Sequence, residues 1–213
     1  MKRFISFLIA AFLCAGMLFA QTSARRTSNT AQSKAPSLSL GESANGVYRN
    51  PLFGFTYKLP YGWVDRTDEM RQDDSGKPAD TSKGAVLLAT FERPPQARGE
   101  TINSSVVIAA ESASAYPGIK SGAQYFGPLN EVITKQGLKA INEPYEFPVD
   151  GQPIVRCDYT GPLGSVTLHQ STLAMLLKGY VVSFTFVGGT EDEITELLES
   201  LRFGKSKAPT GGR

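Results

Sequence analysis

Cysteine and histidine are scarce in this chain: of 213 residues, two are cysteine and one is histidine. Cys14 lies in a leading apolar run. Once that run is removed, Cys157 stands alone and no internal disulfide can staple the fold. A structural zinc site takes about four nitrogen or sulfur ligands, more than His169 and Cys157 can supply. A serine hydrolase would need His169 beside an activated serine and an acid, and no G-x-S-x-G elbow occurs. Phosphate loops are missing too: Gly161-Pro162-Leu163-Gly164 lacks the lysine and the helix that such a loop requires. An excess of one charge is also absent. Without Lys2 and Arg3, twenty bases face twenty acids. A neutral balance with no basic block argues against nucleic acid or anionic lipid as the main partner, since both need a concentrated positive face.

What is present begins with an export signal. Lys2 and Arg3 precede an uncharged run from Phe4 to Phe19, and Ala20 then meets the polar Gln21. Those 16 residues would span about 24 Å as a helix, short of the roughly 30 Å hydrocarbon core, so the segment reads as a cleavable signal peptide over 1–20. Cleavage after Ala20 or after Ala24 fits equally. Phe12 and Leu13 before Cys14 do not make a lipid-attachment site, and Arg25-Arg26 follow the apolar run instead of preceding it. Residues 21–45 are mostly Ser, Thr, Ala, Asn, Gln and Gly with only Leu38 and Leu40 large and apolar, the composition of a disordered tether. A tail of the same kind is expected over 204–213.

The domain is expected over 46–203. Phe53, Phe55, Tyr57 and Leu59 alternate with polar residues or glycine, predicting one strand within Val47–Trp63 that ends in a turn at Pro60 and Gly62, with Trp63 closing one end of the core. Residues 65–84 read as a polar loop. Strands are expected at Ala85–Glu92 and Ser104–Glu111, joined by a long connection with Pro94 and Pro95. Ser121 and Gln124 resemble a capping box for a helix running to Gly137, broken or restarted at Gly127-Pro128. Four strands follow, Tyr145–Val149, Pro153–Tyr159, Ser165–Leu177 and Tyr180–Val187, with turns at Asp150-Gly151, Gly161-Pro162 and Lys178-Gly179. In the last of these, Val182, Phe184 and Phe186 share the core face. Thr190 and Glu193 then cap a helix whose stripe is Ile194, Leu197, Leu198 and Leu201. The fold class is α+β: an antiparallel sheet of about six to eight strands sandwiched by helices.

Two stretches carry a family resemblance. Gly46-Val47-Tyr48-Arg49-Asn50 through Phe53-Gly54-Phe55 to Leu59-Pro60 and Trp63 is one. The other is His169-Gln170, Lys178-Gly179-Tyr180, Val182 to Phe186 and Ser200-Leu201-Arg202-Phe203. Together they resemble the PsbP-like family, whose members include extrinsic subunits of photosystem II and whose fold a nuclear import factor shares. The resemblance spans about residues 46–203 and points to an exported bacterial-type member. It implies an α/β/α sandwich around an antiparallel sheet and carries over no function, because one fold hosts many roles.

Candidate chemistry is sparse. Thr167, His169 and Ser171 read as polar residues of a strand or sheet edge. Cys157, between Arg156 and Asp158, reads as a buried small hydrophobe. Asp65, Asp68, Glu69, Asp73 and Asp74 offer oxygen ligands of the kind calcium takes, but Arg66 and Arg71 interrupt them and the EF-hand spacing is absent. Asn103-Ser104-Ser105 has the form of a glycosylation acceptor. No residue is assigned to catalysis, to a cofactor or to a metal. The expected role is a non-enzymatic binding or interaction module, periplasmic or extracellular, with an envelope protein as partner. The alternative is a carrier of a small apolar ligand lined by Tyr57, Trp63, Phe184 and Phe186. A third is a hydrolase using His169.

Overall fold

The computed structural model describes residues 38–72, 76, 79–97 and 101–204. The expected signal peptide, most of the tether, the tail from residue 205, and Asp73 and Asp74 lie outside the described residues. Two antiparallel sheets form the domain. The larger runs in the order β4 (Val64–Asp65), β5 (Gly84–Phe91), β6 (Ser105–Ser112), β11 (Tyr180–Gly188), β10 (Val166–Leu177), β9 (Val155–Leu163) and β7 (Lys139–Ala140), with β8 (Tyr145–Glu146) also paired to β9. The smaller has the order β1 (Glu42–Ala44), β2 (Val47–Asn50), β3 (Phe55–Lys58) and β12 (Leu201–Phe203). Among the described residues the helices are α1 (Thr67–Met70), α2 (Gly122–Lys135) and α3 (Glu191–Leu198), with a 3-10 turn at Ala113–Ala115.

Alternation along the strands decides which layer each side chain joins. On one face of the large sheet, Leu88, Val106, Ile108, Leu173, Val182, Phe184 and Phe186 meet the small sheet through Tyr48, Phe55, Tyr57 and Leu201, and α3 through Ile194, Leu197 and Leu198. The opposite face carries α2, whose Tyr125, Phe126, Leu129 and Ile133 pack on Cys157, Tyr159, Ala174 and Val181. The α+β sandwich is therefore present. However, the small sheet shares with α3 the layer that the sequence assigned to helix alone. With both faces covered, every residue of β11 is buried. Ser183 and Thr185, which alternation had set opposite the core, are small enough to lie in the second interior.

Several expected elements are placed differently. The single strand within Val47–Trp63 is a hairpin, because Asn50 ends β2: its carbonyl accepts from Gly54 N and its Oδ1 from Phe53 N. Residues 38–45, expected to belong to the tether, are part of the domain. Leu38 and Leu40 pack on the core, and Tyr48 Oη and Asn50 Nδ2 donate to the carbonyls of Leu40 and Ser39 at 2.7 and 3.0 Å. The polar loop holds α1, and α2 continues unbroken through Gly127 and Pro128. Aromatic and aliphatic anchors on both sides of the proline hold that helix to the sheet. Gly161-Pro162 is strand, the reversal falling at Gly164-Ser165 between paired Leu163 and Val166. Leu201 leaves the α3 stripe to pair with Tyr57. By contrast, Asp150-Gly151 (φ 49° and 80°) and Lys178-Gly179 (φ 53° and 82°) are the left-handed pairs that tight hairpins require.

Candidate interaction surface

The sequence-predicted site residues do not converge. His169 lies on β10, which runs between β9 and β11, so it is not an edge residue; its Nδ1 is 4.0 Å from Glu191 Oε1. Ser171, two positions along the same strand, is buried, and its cross-strand partner on β9 is Asp158, whose carboxyl pKa it helps to lower. Cys157 is fully buried on the α2 face, its thiol 3.4 Å from the Asn142 carbonyl, and burial pushes its pKa up. This is the expected packing role. Asp65 Oδ1 accepts from Thr67 N and Oγ1, Asp68 pairs with Arg71 at 3.3 Å and Glu69 with Arg66 at 2.7 Å. Local partners thus claim each described acid of the loop, and no group of three or more potential ligands gathers among the described residues. The Asn103 amide bridges both sides of Arg93, accepting from its N and donating to its O at 3.0 Å each.

The aromatic set proposed for a ligand pocket is mostly core. Tyr57, Phe184 and Phe186 are fully buried; Tyr57 packs on Phe186 at 6.1 Å between ring centroids, and Phe184 on Phe55 at 5.0 Å. Tyr57 Oη donates to the Leu197 carbonyl at 3.2 Å, and burial raises its pKa. Only Trp63 faces an opening. A groove of about 730 Å³ runs between the hairpin ends around Gly46 and Lys58, the turn Pro60–Trp63, and Glu196, Leu197 and Ser200 of the α3 end. Its floor is tied down: Leu59 N donates to Gly46 O at 2.8 Å and Lys58 N to Ser200 O at 3.0 Å.

The rim of this groove carries the residue that sequence reasoning missed. Pro60-Tyr61-Gly62-Trp63 turns with Trp63 N donating to Pro60 O at 3.4 Å, and Gly62 takes the positive φ of 81° that the third residue of a type II turn requires. Tyr61 at the second position projects away from the body and is 104% exposed, the most exposed of the large hydrophobic side chains described. Trp63, two residues on, is half-buried against the core and anchors the turn. The arrangement presents an exposed aromatic side chain beside a concave surface. The usable signal was an aromatic inside a Pro-x-Gly turn, a position from which a side chain has no core to enter.

A second, open groove of about 800 Å³ lies at the other end of the small sheet, lined by Phe53, Phe55, Phe203, Arg49 and Asp150. A third, of about 410 Å³, is polar and surrounds Arg71 and Tyr48. No described helix is long and apolar enough to cross a membrane.

No family model matches the chain, and no curated protein is similar to it. Among solved structures it is similar to cyanobacterial PsbP (CyanoP) from Synechocystis, at 16% identity over 78% of this chain and 99% of that one, TM-score 0.48. It is also similar to LpqN of Mycobacterium tuberculosis, described as involved in cell envelope biogenesis, at 8% identity over 68% and 76%, TM-score 0.36. A further similar chain is PA94 of Pseudomonas aeruginosa, a protein of unknown function and putative regulator, at 21% identity over 49% and 70%, TM-score 0.35. All three identities lie under 25% and all three TM-scores under 0.5, so these likenesses assign no family and no role.

Proposed function

We propose that the chain is an exported, non-enzymatic interaction module that engages a protein partner of the cell envelope through the Pro60–Trp63 turn and the groove beside it. The observation that carries the reading is Tyr61, wholly outside the fold on a turn closed by Trp63 and Gly62. A rigid aromatic has two side-chain torsions to lose on binding and gains a large contact area, which is why tyrosine and tryptophan dominate protein contacts. The nearby groove supplies a place for the partner's own apolar anchor. Export follows from the leading apolar segment, and the tether after it gives the domain room to search near the envelope.

The test is photo-crosslinking from position 61 in living cells, with position 163 as control. Leu163 is also exposed, at 43%, but is the last residue of β9, remote in sequence from the Pro60–Trp63 turn. The expected result is a discrete adduct with one envelope protein from position 61 and none from 163. Equal or absent crosslinking at both positions would refute the assignment of this surface.

A further inference from the structure

We propose that Glu111, Tyr116 and Tyr125 form a proton-operated latch that fastens the connection between β6 and α2, closed while the Glu111 carboxyl is neutral and loosened when it ionises. Glu111 is the penultimate residue of β6 and is 5% exposed, on the face covered by α2. Tyr125 Oη, from the first turn of α2, donates to Glu111 Oε1 at 2.8 Å, and Tyr116 Oη, from the connection, donates to Oε2. The two phenol rings meet edge to face at 5.5 Å. One carboxyl therefore joins a strand end, a loop and a helix start. This grouping spans the stretch from residue 111 to 125, where chain continuity alone would leave the loop free.

Among the described residues, the groups that set the Glu111 charge are the two phenols, and no cation is among them. Across from Glu111, β5 presents Gly84, and β11 presents Val181. A Cβ at Gly84 would stand 2.4 Å from the Ala110 carbonyl and 2.8 Å from Glu111 Cα, so the two strand backbones lie too close there for a side chain. Lys83, next before Gly84, accepts from Ser112 N through its carbonyl at 2.9 Å. Lys178, at the β10–β11 turn, spends its Nζ on the Leu52 carbonyl at 2.7 Å. From α2, the group facing Glu111 is Tyr125, and from the connection Tyr116. Both phenols have pKa values raised by burial and by the adjacent carboxyl, so they stay protonated while Glu111 titrates.

Burial raises the Glu111 pKa, and the two phenol hydrogen bonds lower it by less. An acid with a raised folded-state pKa contributes stability that is fully present below its unfolded pKa and is lost as pH rises through the folded pKa. Two phenol donors suit the carboxylate, and in the neutral carboxyl its own O–H replaces one of them; because the closed site excludes water, opening the connection solvates the carboxylate better than two phenols can, so ionisation favours the open form.

Amide hydrogen exchange of residues 113–125, measured from pH 4 to 8 and corrected for intrinsic rates, tests the latch. Protection in this segment is expected to fall several-fold as pH rises, with core strands unchanged. In Glu111→Gln the fall should vanish. In Tyr116→Phe, which removes one donor to the carboxylate, the midpoint should move to higher pH. A pH-independent native segment, an unaltered fall in Glu111→Gln, or an unmoved midpoint in Tyr116→Phe would each overturn the proposal. The last variant retains the ring, so the test survives if the glutamine variant does not fold.

Discussion

Replacing Arg71 by methionine should cost far more than removing a surface arginine, because its guanidinium is fitted to a defect in β5. The pairing of β5 with β6 slips between Val86 and Leu88, leaving Leu87 without a partner residue. A bulge of this kind leaves local backbone groups outside the ladder, and β4 covers only Thr90 and Phe91 of the outer edge. Arg71 fills the gap: Nε donates to Val86 O at 2.8 Å, and Nη2 to Leu87 O at 2.8 Å and to Leu40 O at 3.3 Å. Its ion pair with Asp68 contributes little, since that side chain is 90% exposed. A hydrogen bond from a charged donor is worth about 1.5–3 kcal/mol, and a buried carbonyl left unpaired costs about 1–3 kcal/mol. The adjoining polar cavity admits water to part of the site, which places the total near the lower end. The expected loss is about 2–4 kcal/mol for Arg71→Met, with the arginine stem's packing retained, or a Tm lower by roughly 5–15 °C. Urea unfolding followed by the single tryptophan, Trp63, measures it. Arg71→Lys reaches one carbonyl and should recover about half of the loss. A change below about 0.5 kcal/mol in the methionine variant, the range of ordinary surface substitutions, would refute the reasoning.

Gly84→Ala should destabilise by about 1–3 kcal/mol, since the new Cβ would press on the backbone of Ala110 and Glu111 at a φ of 140°; thermal unfolding reads it, and a neutral result would mean the strand edge can spread. Thr190→Ala removes the acceptor for Glu193 N while Glu193 still accepts from Gly189 N, so a loss of about 1 kcal/mol is expected in the same assay. The Cys157 thiol should resist an aromatic disulfide reagent in the folded protein and react fully in urea, because it is buried and its pKa is raised; prompt labelling of folded protein would contradict that placement.

The parts of the fold legible in the sequence are those where one-dimensional pattern and three-dimensional burial coincide. The runs that became β5, β6, β10 and β11 are apolar enough to need cover, and Thr190 with Glu193 announces α3 as the structure builds it, except that Glu193 reaches Gly189 N instead of the cap residue's own N. Pattern failed where a local bond overrode it. The alternation of Phe53, Phe55 and Tyr57 continues across a real turn because the Asn50 amide, not hydrophobicity, bends the chain there. The packed arm at Leu38–Ala44 was invisible because its ties use backbone carbonyls, which composition does not report. Arg71 looked like an interruption in an acidic loop, and its role depends on a bulge that no residue type marks. The resemblance at the two ends conveyed the sandwich but not the small sheet's share of one layer, which arises when Leu201–Phe203 pairs with β3 instead of extending α3.

The proposed site was half legible: the turn could be read from Pro60 and Gly62, whereas the exposure of Tyr61 follows from where Trp63 is fixed. The most direct test of the interaction role is the affinity of the protein crosslinked at position 61 for native and Tyr61→Ala domains, titrated at equal ionic strength. A central aromatic contact predicts a loss of at least about 2 kcal/mol, roughly thirtyfold in Kd, with Tm unchanged. Equal affinity for the two domains would contradict the account.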